Sequence, residues 1–205
     1  ARAEDWRALF LETQDLHDAS RFTYGMPGAD LISWPPAHGG EVLTWSREYD
    51  VDPLLVLGLM RAESLYRSKA LSHVGAVGVM QIMPGTGSKV AHLLGEPTYT
   101  PAVLEDPATN VRYGTFYLGE LLTRFEGAWP MAVASYNAGP VNVSSWYRPW
   151  RGRIALDDWV EQIPYKETRG YVKRVSSYYA TYVSLYGEGT VQVPAEGGED
   201  RREVI

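Results

Sequence analysis

The chain has 205 residues, 45% of them hydrophobic, and a net charge of −6. That is enough for one globular domain with a sizeable core and a short extra element. No Lys/Arg cluster stands out, which argues against a nucleic-acid partner. The absence of cysteine excludes disulfides and thiolate chemistry. The longest apolar run, Pro53 to Met60, is too short to span a membrane, and the opening ARAEDWRALF carries no signal-peptide pattern. The chain therefore reads as cytosolic, or as a mature or excised form. The 14 Tyr and 7 Trp suit either a core or a groove that covers the C–H faces of sugars.

In chain order, residues 4–22 carry Trp6, Leu9, Phe10, Thr13 and Leu16 at mixed three and four spacing, the pattern of an amphipathic helix. The Gly- and Pro-dense stretch from Tyr24 to Gly40 reads as a linker. A helix is expected from about Glu41 to Tyr49. The next has Asp52 as N-cap and Pro53 at its first position. Its sequence, LLVLGLMRAES, is apolar almost all round and predicts a buried helix. Glycines 75, 78, 85 and 87 then break up a segment read as short strands or turns, with a helix over about Gly85 to Leu94. Asp106 reads as the cap of a long helix over NVRYGTFYLGELLTRF. PMAVASYNAG reads as a short helix stopped by Gly139, and a last helix is expected over Lys166 to Tyr186. The polar, Gly-rich segment 188–205 reads as a terminal tail. The fold class is mainly α, with one irregular region after Glu63.

Glu63 is the residue that points to chemistry. Val56, Leu59 and Met60 share its helical face, so its carboxyl is expected to lose hydration. Desolvation disfavours the charged form and raises the pKa, and a carboxyl protonated near neutral pH can act as a general acid. No second carboxylate follows until Glu96. Between them, Gly75, Ala76 and Gly78 let another chain approach the backbone, while Ser72 and Gln81 offer a hydroxyl and an amide. With the soft apolar Met80, these suit a groove for an uncharged polymer bearing hydroxyl and amide groups. His17, His38, His73 and His92 are scattered without metal-ligand spacing, and neither a Ser-His-Asp arrangement nor a phosphate-binding glycine loop is present. No cofactor or metal is expected.

The series Glu63, Ser64, Ser72, Gly75, Ala76, Gly78, Met80, Gln81, Pro84 and Thr86 resembles the catalytic signature of the soluble lytic transglycosylases, within the goose-lysozyme-like group. SYNAGPVNVSSW (Ser135 to Trp146) resembles the family's aromatic-Asn-Ala-Gly segment. EQIPYKETRGYVKRV (Glu161 to Val175) resembles a third family segment, and the three occur in the family's order. Departures at Val79 and Gly87 are small. The resemblance implies a lysozyme-like, mainly helical catalytic domain with a glycan groove. It also implies non-hydrolytic cleavage of peptidoglycan between N-acetylmuramic acid and N-acetylglucosamine, forming a 1,6-anhydro ring.

By the same resemblance, Glu63 is the acid and then the base. Ser72 binds the muramyl N-acetyl group, and Met80 and Gln81 line the groove. Tyr136 steadies Glu63 or the N-acetyl oxygen, and Asn137 holds a loop or touches sugar. Glu161 orients substrate or supports the groove, and Tyr171 either contacts glycan or packs. A single carboxylate fits substrate-assisted chemistry, in which the N-acetyl carbonyl stands in for the second. The expected partner is a peptidoglycan strand acted on by a monomer in the periplasm, the location following from the substrate. The implied division is 1–33 as a helical segment and linker, a remnant of a superhelical domain; 34–187 as the catalytic domain; and 188–205 as the tail. A hydrolytic muramidase and an inactive glycan-binding module remain the alternatives.

Overall fold

The computed structural model describes residues 33–186. The expected helix at 4–22 and the tail at 188–205 lie outside the described residues, as does most of the expected linker.

Helix α1, Gly39–Glu48, leads through a left-handed turn at Asp50 into α2, Pro53–Ser64. Asp52 caps α2 as the sequence predicts: its Oδ1 accepts from the Leu54 N–H at 2.8 Å, with Pro53 at the first helical position. Leu54 through Arg61 are all buried, so α2 runs through the middle of the molecule. Burying each of its large apolar side chains contributes roughly 1.5–3 kcal/mol, which offsets the cost of enclosing a whole helix.

The chain leaves α2 through two residues with positive φ, Leu65 and Tyr66. The loop from 67 to 83 follows. It contains no named strand; its β character is confined to two isolated antiparallel bridges, Leu71 with Val77 and Val77 with Ile82. Helix α3, Pro84–Leu93, and a 3-10 turn, Pro101–Glu105, precede α4, Pro107–Arg124. Asp106 caps α4, its Oδ2 accepting from the Thr109 N–H at 2.9 Å and the Thr109 hydroxyl at 2.7 Å. Helix α5, Trp129–Ala138, ends at Gly139, whose φ of 83° turns the chain directly into α6, Pro140–Tyr147. Helices α7, Leu156–Glu161, and α8, Lys166–Tyr186, complete the described fold. The 3-10 turn, α6 and α7 were not expected from periodicity. At five to eight residues they are too short to show a face.

Helix α8 buries Thr168, Tyr171, Val172, Val175 and Tyr182, a stripe at helical spacing, and packs along α2. Gly58 lets the two backbones meet: a Cβ there would lie 3.0 Å from the Tyr179 backbone nitrogen. Beyond α2, the buried Tyr66 hydroxyl is hydrogen-bonded to the Tyr182 hydroxyl, which donates to the Pro35 carbonyl at 3.0 Å. This close approach of α2 and α8 brings Tyr171 of α8 to Glu63 of α2, and so builds the site.

Candidate active site

Glu63 lies one residue before the end of α2, half-buried, where the 67–83 loop, the end of α5 and the start of α8 converge. The rest of its helical face is closed off: Val56, Leu59 and Met60 are fully buried. Burial pushes the Glu63 carboxyl up from an ordinary 4.5 to about 7. Two neighbours pull the other way. The Tyr171 hydroxyl donates to Glu63 Oε1 at 2.5 Å, and the Arg174 guanidinium adds positive potential. Desolvation wins, and the carboxyl is poised near neutrality.

Tyr171 is 3% exposed and stands behind Glu63, so its place is support of the carboxyl. Burial and the Glu63 charge hold its phenol well above the ordinary tyrosine value, so it remains a hydrogen-bond donor. Arg174, one turn further along α8, is exposed, with its guanidinium carbon 5.9 Å from the centre of the Tyr171 ring. Sequence reasoning passed over Arg174, although its i+3 spacing from Tyr171 puts the two on one face.

Tyr136, two residues from the end of α5, has its pKa raised well above the ordinary tyrosine value by burial, with the nearby Glu63 charge adding to it. Its hydroxyl does not bond Glu63; it donates to the Met80 carbonyl at 2.9 Å. Its ring packs against Tyr117 at 5.4 Å. Among the described residues, the hydrogen-bond partner of Glu63 is Tyr171.

The Met80 side chain does not line the groove. It is fully buried, packed so tightly against α4 that a Cβ on Gly114 would lie 2.8 Å from the Met80 Cβ. Its carbonyl is what reaches the site. Gln81 is held in the left-handed region, φ 48°, by its own amide, which donates to the Gly78 carbonyl at 2.8 Å and the Ala70 carbonyl at 3.1 Å. Ser72, half-buried in the same loop, accepts from the Ala76 N–H at 2.9 Å, leaving its own proton available. Ser64 anchors the loop to α2 by donating to the Val79 carbonyl at 2.7 Å.

The loop has a second anchor that the sequence did not suggest. Asn110 is fully buried in α4 and makes three hydrogen bonds. Its Oδ1 accepts from the Met80 N–H at 2.8 Å, and its amide donates to the carbonyls of Val77 and Leu104, each at 2.9 Å. Gly78, φ 81°, passes so close that a Cβ there would lie 2.8 Å from the Leu104 carbonyl and run into the Asn110 amide. The signal was an asparagine on an otherwise apolar helix face, in register with Tyr113, Gly114 and Leu118.

The two remaining candidates stand further out. Asn137 is exposed and accepts from the Thr168 hydroxyl at 2.8 Å, tying the end of α5 to α8. Glu161 is exposed and ion-paired with Lys173 at 2.6 Å. Burial sets the raised Glu63 proton affinity, and the groups that oppose it are Tyr171 and Arg174, neither of them a carboxylate. No group of His, Asp and Glu among the described residues could hold a metal ion. Two cavities, of about 480 and 370 Å³, lie elsewhere and neither is lined by Glu63.

Comparison with known proteins gives one consistent result. The family model described as the transglycosylase SLT domain matches residues 42–153. The chain is similar to the soluble lytic murein transglycosylase of Salmonella typhimurium, 38% identical over 156 residues that cover 76% of this chain and 24% of that protein. The Escherichia coli K12 protein of the same name is 37% identical over the same shares. The chain therefore spans about a quarter of the length of these relatives. Among solved structures, the 70 kDa soluble lytic transglycosylase of Escherichia coli superposes with a TM-score of 0.75 at 34% identity, covering 88% of this chain and 29% of that one. A lytic transglycosylase of Pseudomonas aeruginosa, solved as an inactive glutamate-to-glutamine mutant, gives 0.70 at 30% identity, covering 90% and 31%.

Proposed function

The chain belongs to the transglycosylase SLT domain family, and from that premise we propose that it is a peptidoglycan lytic transglycosylase with Glu63 as its acid and base. The observation that carries this reading is the state of Glu63: a carboxyl lifted to about 7 at the end of α2, with one tyrosine donor behind it and no second carboxylate among the groups that shift it. Protonated, Glu63 gives its proton to the glycosidic oxygen as the bond to the muramic acid C1 breaks. The substrate's own N-acetyl carbonyl takes the place of a protein nucleophile at C1. The Glu63 carboxylate then removes the proton from the muramic acid C6 hydroxyl, whose oxygen closes on C1 as the anhydro ring. One proton leaves Glu63 and one returns, and no water is consumed.

The other residues take supporting parts. Ser72, with its hydroxyl proton free, binds the N-acetyl group. Tyr171 and Arg174 oppose the burial that raises the proton affinity of Glu63. Tyr136, through the Met80 carbonyl, fixes the loop against α5, and Gln81 holds the loop's left-handed turn. Glu161 and Asn137 brace the groove's far edge through Lys173 and Thr168. The substrate places the activity in the bacterial envelope, in the periplasm. No described helix is long and apolar enough to cross a membrane. Residues 34–187 form the catalytic unit in this reading, preceded by a linker segment and followed by a tail.

The test is digestion of purified sacculi, with the muropeptides weighed without prior reduction. Anhydro products, lighter by one water and lacking a reducing end, are the expected result. Reducing-end products would replace this reading by a hydrolytic muramidase, and intact strands by a binding module.

A further inference from the structure

The opposite end of α2 from Glu63, about 16 Å away along the helix axis, borders the cavity of about 370 Å³. The turn between α1 and α2, the end of α4, the start of α5 and the second half of α8 enclose it. Two carboxylates stand at it, Asp50 and Asp52, and among the described residues no Lys or Arg lines it. Its walls are aromatic. Tyr49, Trp129 and Tyr179 are all half-buried, and the Trp129 and Tyr179 rings meet edge to face at 5.6 Å. The chemistry at Glu63 uses none of these groups.

The two acids are in different states. Asp52 is engaged in the fold: its Oδ1 accepts from the Leu54 N–H at 2.8 Å, and its Oδ2 from the Tyr179 hydroxyl at 2.5 Å. Burial and the bond to Asp52 push the Tyr179 phenol up to about 12, so it stays a donor. Asp50 is exposed, is held in the left-handed region at φ 52°, and has no hydrogen-bond or ion-pair partner among the described residues. It therefore brings an uncompensated negative charge to a cavity walled by π surfaces.

These features select the ligand. A divalent metal ion needs a shell of oxygens and makes no use of aromatic walls. No group of three acids or histidines among the described residues offers such a shell. A neutral apolar molecule would leave the carboxylates unused. An organic ammonium uses both kinds of surface: its charge is attracted to the faces of Trp and Tyr, its N–H groups donate to carboxylate, and its methylenes cover ring. The Asp52 oxygens, each with a second lone pair, leave room for a second ammonium group beside the one at Asp50.

We propose that this cavity is a binding site for small aliphatic diamines, with one ammonium group at Asp50 and the methylene chain against Trp129 and Tyr179. The site is independent of the peptidoglycan reading of Glu63. A bound diamine ties the turn before α2 to the start of α5 and the flank of α8, and so stabilises the folded chain by mass action.

The test is titration of the nitrogen-labelled 205-residue chain with cadaverine dihydrochloride at constant ionic strength, followed by NMR. The Trp129 indole N–H and the Asp50 amide should move to saturation, and the melting temperature should rise in parallel. n-Pentanol, of the same length without charge, should not saturate these signals. Asp50→Asn should weaken cadaverine binding at least about fivefold, because it removes a charge-assisted hydrogen bond. Asparagine also tolerates the left-handed region, so the turn survives the substitution. Trp129→Leu should weaken binding about two- to fivefold through loss of the ring face. Saturable binding of n-pentanol, unchanged affinity in Asp50→Asn, or shifts at surface carboxylates elsewhere without saturation at Trp129 would each overturn the proposal. Tighter binding of Nα-acetyl-lysine amide than of cadaverine would also overturn it, and would reassign the cavity to a lysine side chain of a protein partner.

Discussion

Tyr171→Phe isolates a single hydrogen bond while leaving the buried ring in place. In the wild-type protein the hydroxyl donates to Glu63 Oε1 at 2.5 Å and favours the carboxylate against the burial that raises its pKa to about 7. A hydrogen bond to a charged group is worth about 1.5–3 kcal/mol, and one pH unit corresponds to about 1.4 kcal/mol. Loss of the hydroxyl should therefore move the Glu63 titration upward by about one to two pH units. The sign follows from the donor's preference: it stabilises the charged form, so its removal leaves the neutral form favoured to higher pH. Two measurements read this. The carboxyl carbon of labelled Glu63 should titrate later by NMR, and the alkaline limb of the pH–activity profile should move the same way. The maximal rate should fall, because a carboxyl that keeps its proton more tightly is a poorer acid. A midpoint that stays in place, or moves to lower pH, would refute the assignment of Tyr171 as the group that tunes Glu63.

Arg174→Gln should shift the same titration upward by less than Tyr171→Phe does, because the guanidinium is exposed and its field is screened; equal or larger displacement would contradict that ordering. Glu63→Gln should abolish turnover in the sacculus assay while preserving the circular dichroism spectrum. It should also change stability in a pH-dependent way. A carboxyl whose pKa rises from 4.5 to about 7 on folding contributes stability that is present at low pH and lost as pH rises through 7, up to about 3 kcal/mol. The melting temperature of Glu63→Gln should match that of the wild type near pH 4 and exceed it near pH 8. Asn110→Ala strands the Met80 N–H and the Leu104 carbonyl, while the Val77 carbonyl keeps the Ile82 N–H; a loss of roughly 2–4 kcal/mol is expected in urea unfolding, and a loss below about 1 kcal/mol would mean that the loop is anchored elsewhere. Gly58→Leu should push α8 off α2 and lower activity by separating Tyr171 from Glu63, which a hydrogen-exchange rise along α8 would accompany.

The long elements and the burial around Glu63 were legible because their signals are local. Asp52 and Pro53 mark the start of α2, its apolar run marks burial, and the stripe from Thr168 to Val175 marks a face of α8. The partner of Glu63 was not legible in that way. Tyr171 lies more than a hundred positions away in sequence, and what brings it to Oε1 is the missing side chain at Gly58, a property of two helices in contact. Met80 was misjudged for a related reason. Its place in the motif suggested the groove, but Gly114 opens a slot in α4 that takes the whole side chain, and only the carbonyl is left to work with Tyr136. Asn110 shows only as a polar residue on the face shared with Tyr113, Gly114 and Leu118, and its partners Met80, Val77 and Leu104 lie on other elements.

A residue that must be acid and then base within one turnover needs both protonation states within reach. An ordinary exposed glutamate is almost wholly ionised at neutral pH and seldom holds the first proton. A deeply buried glutamate without a donor keeps its proton and is a poor base for the second transfer. In this fold α2 supplies the burial, and α8 supplies the two groups that oppose it, Tyr171 and Arg174. The result near 7 leaves the two forms of Glu63 within about 1.4 kcal/mol of each other between pH 6 and 8. Any change that alters the packing of α2 on α8 should therefore act on the proton affinity of Glu63 even when it touches no substrate, and the titration of Glu63 in Gly58→Leu is the place to see it. A lowered activity with an unchanged Glu63 midpoint in that variant would mean that α8 shapes the groove without setting the chemistry.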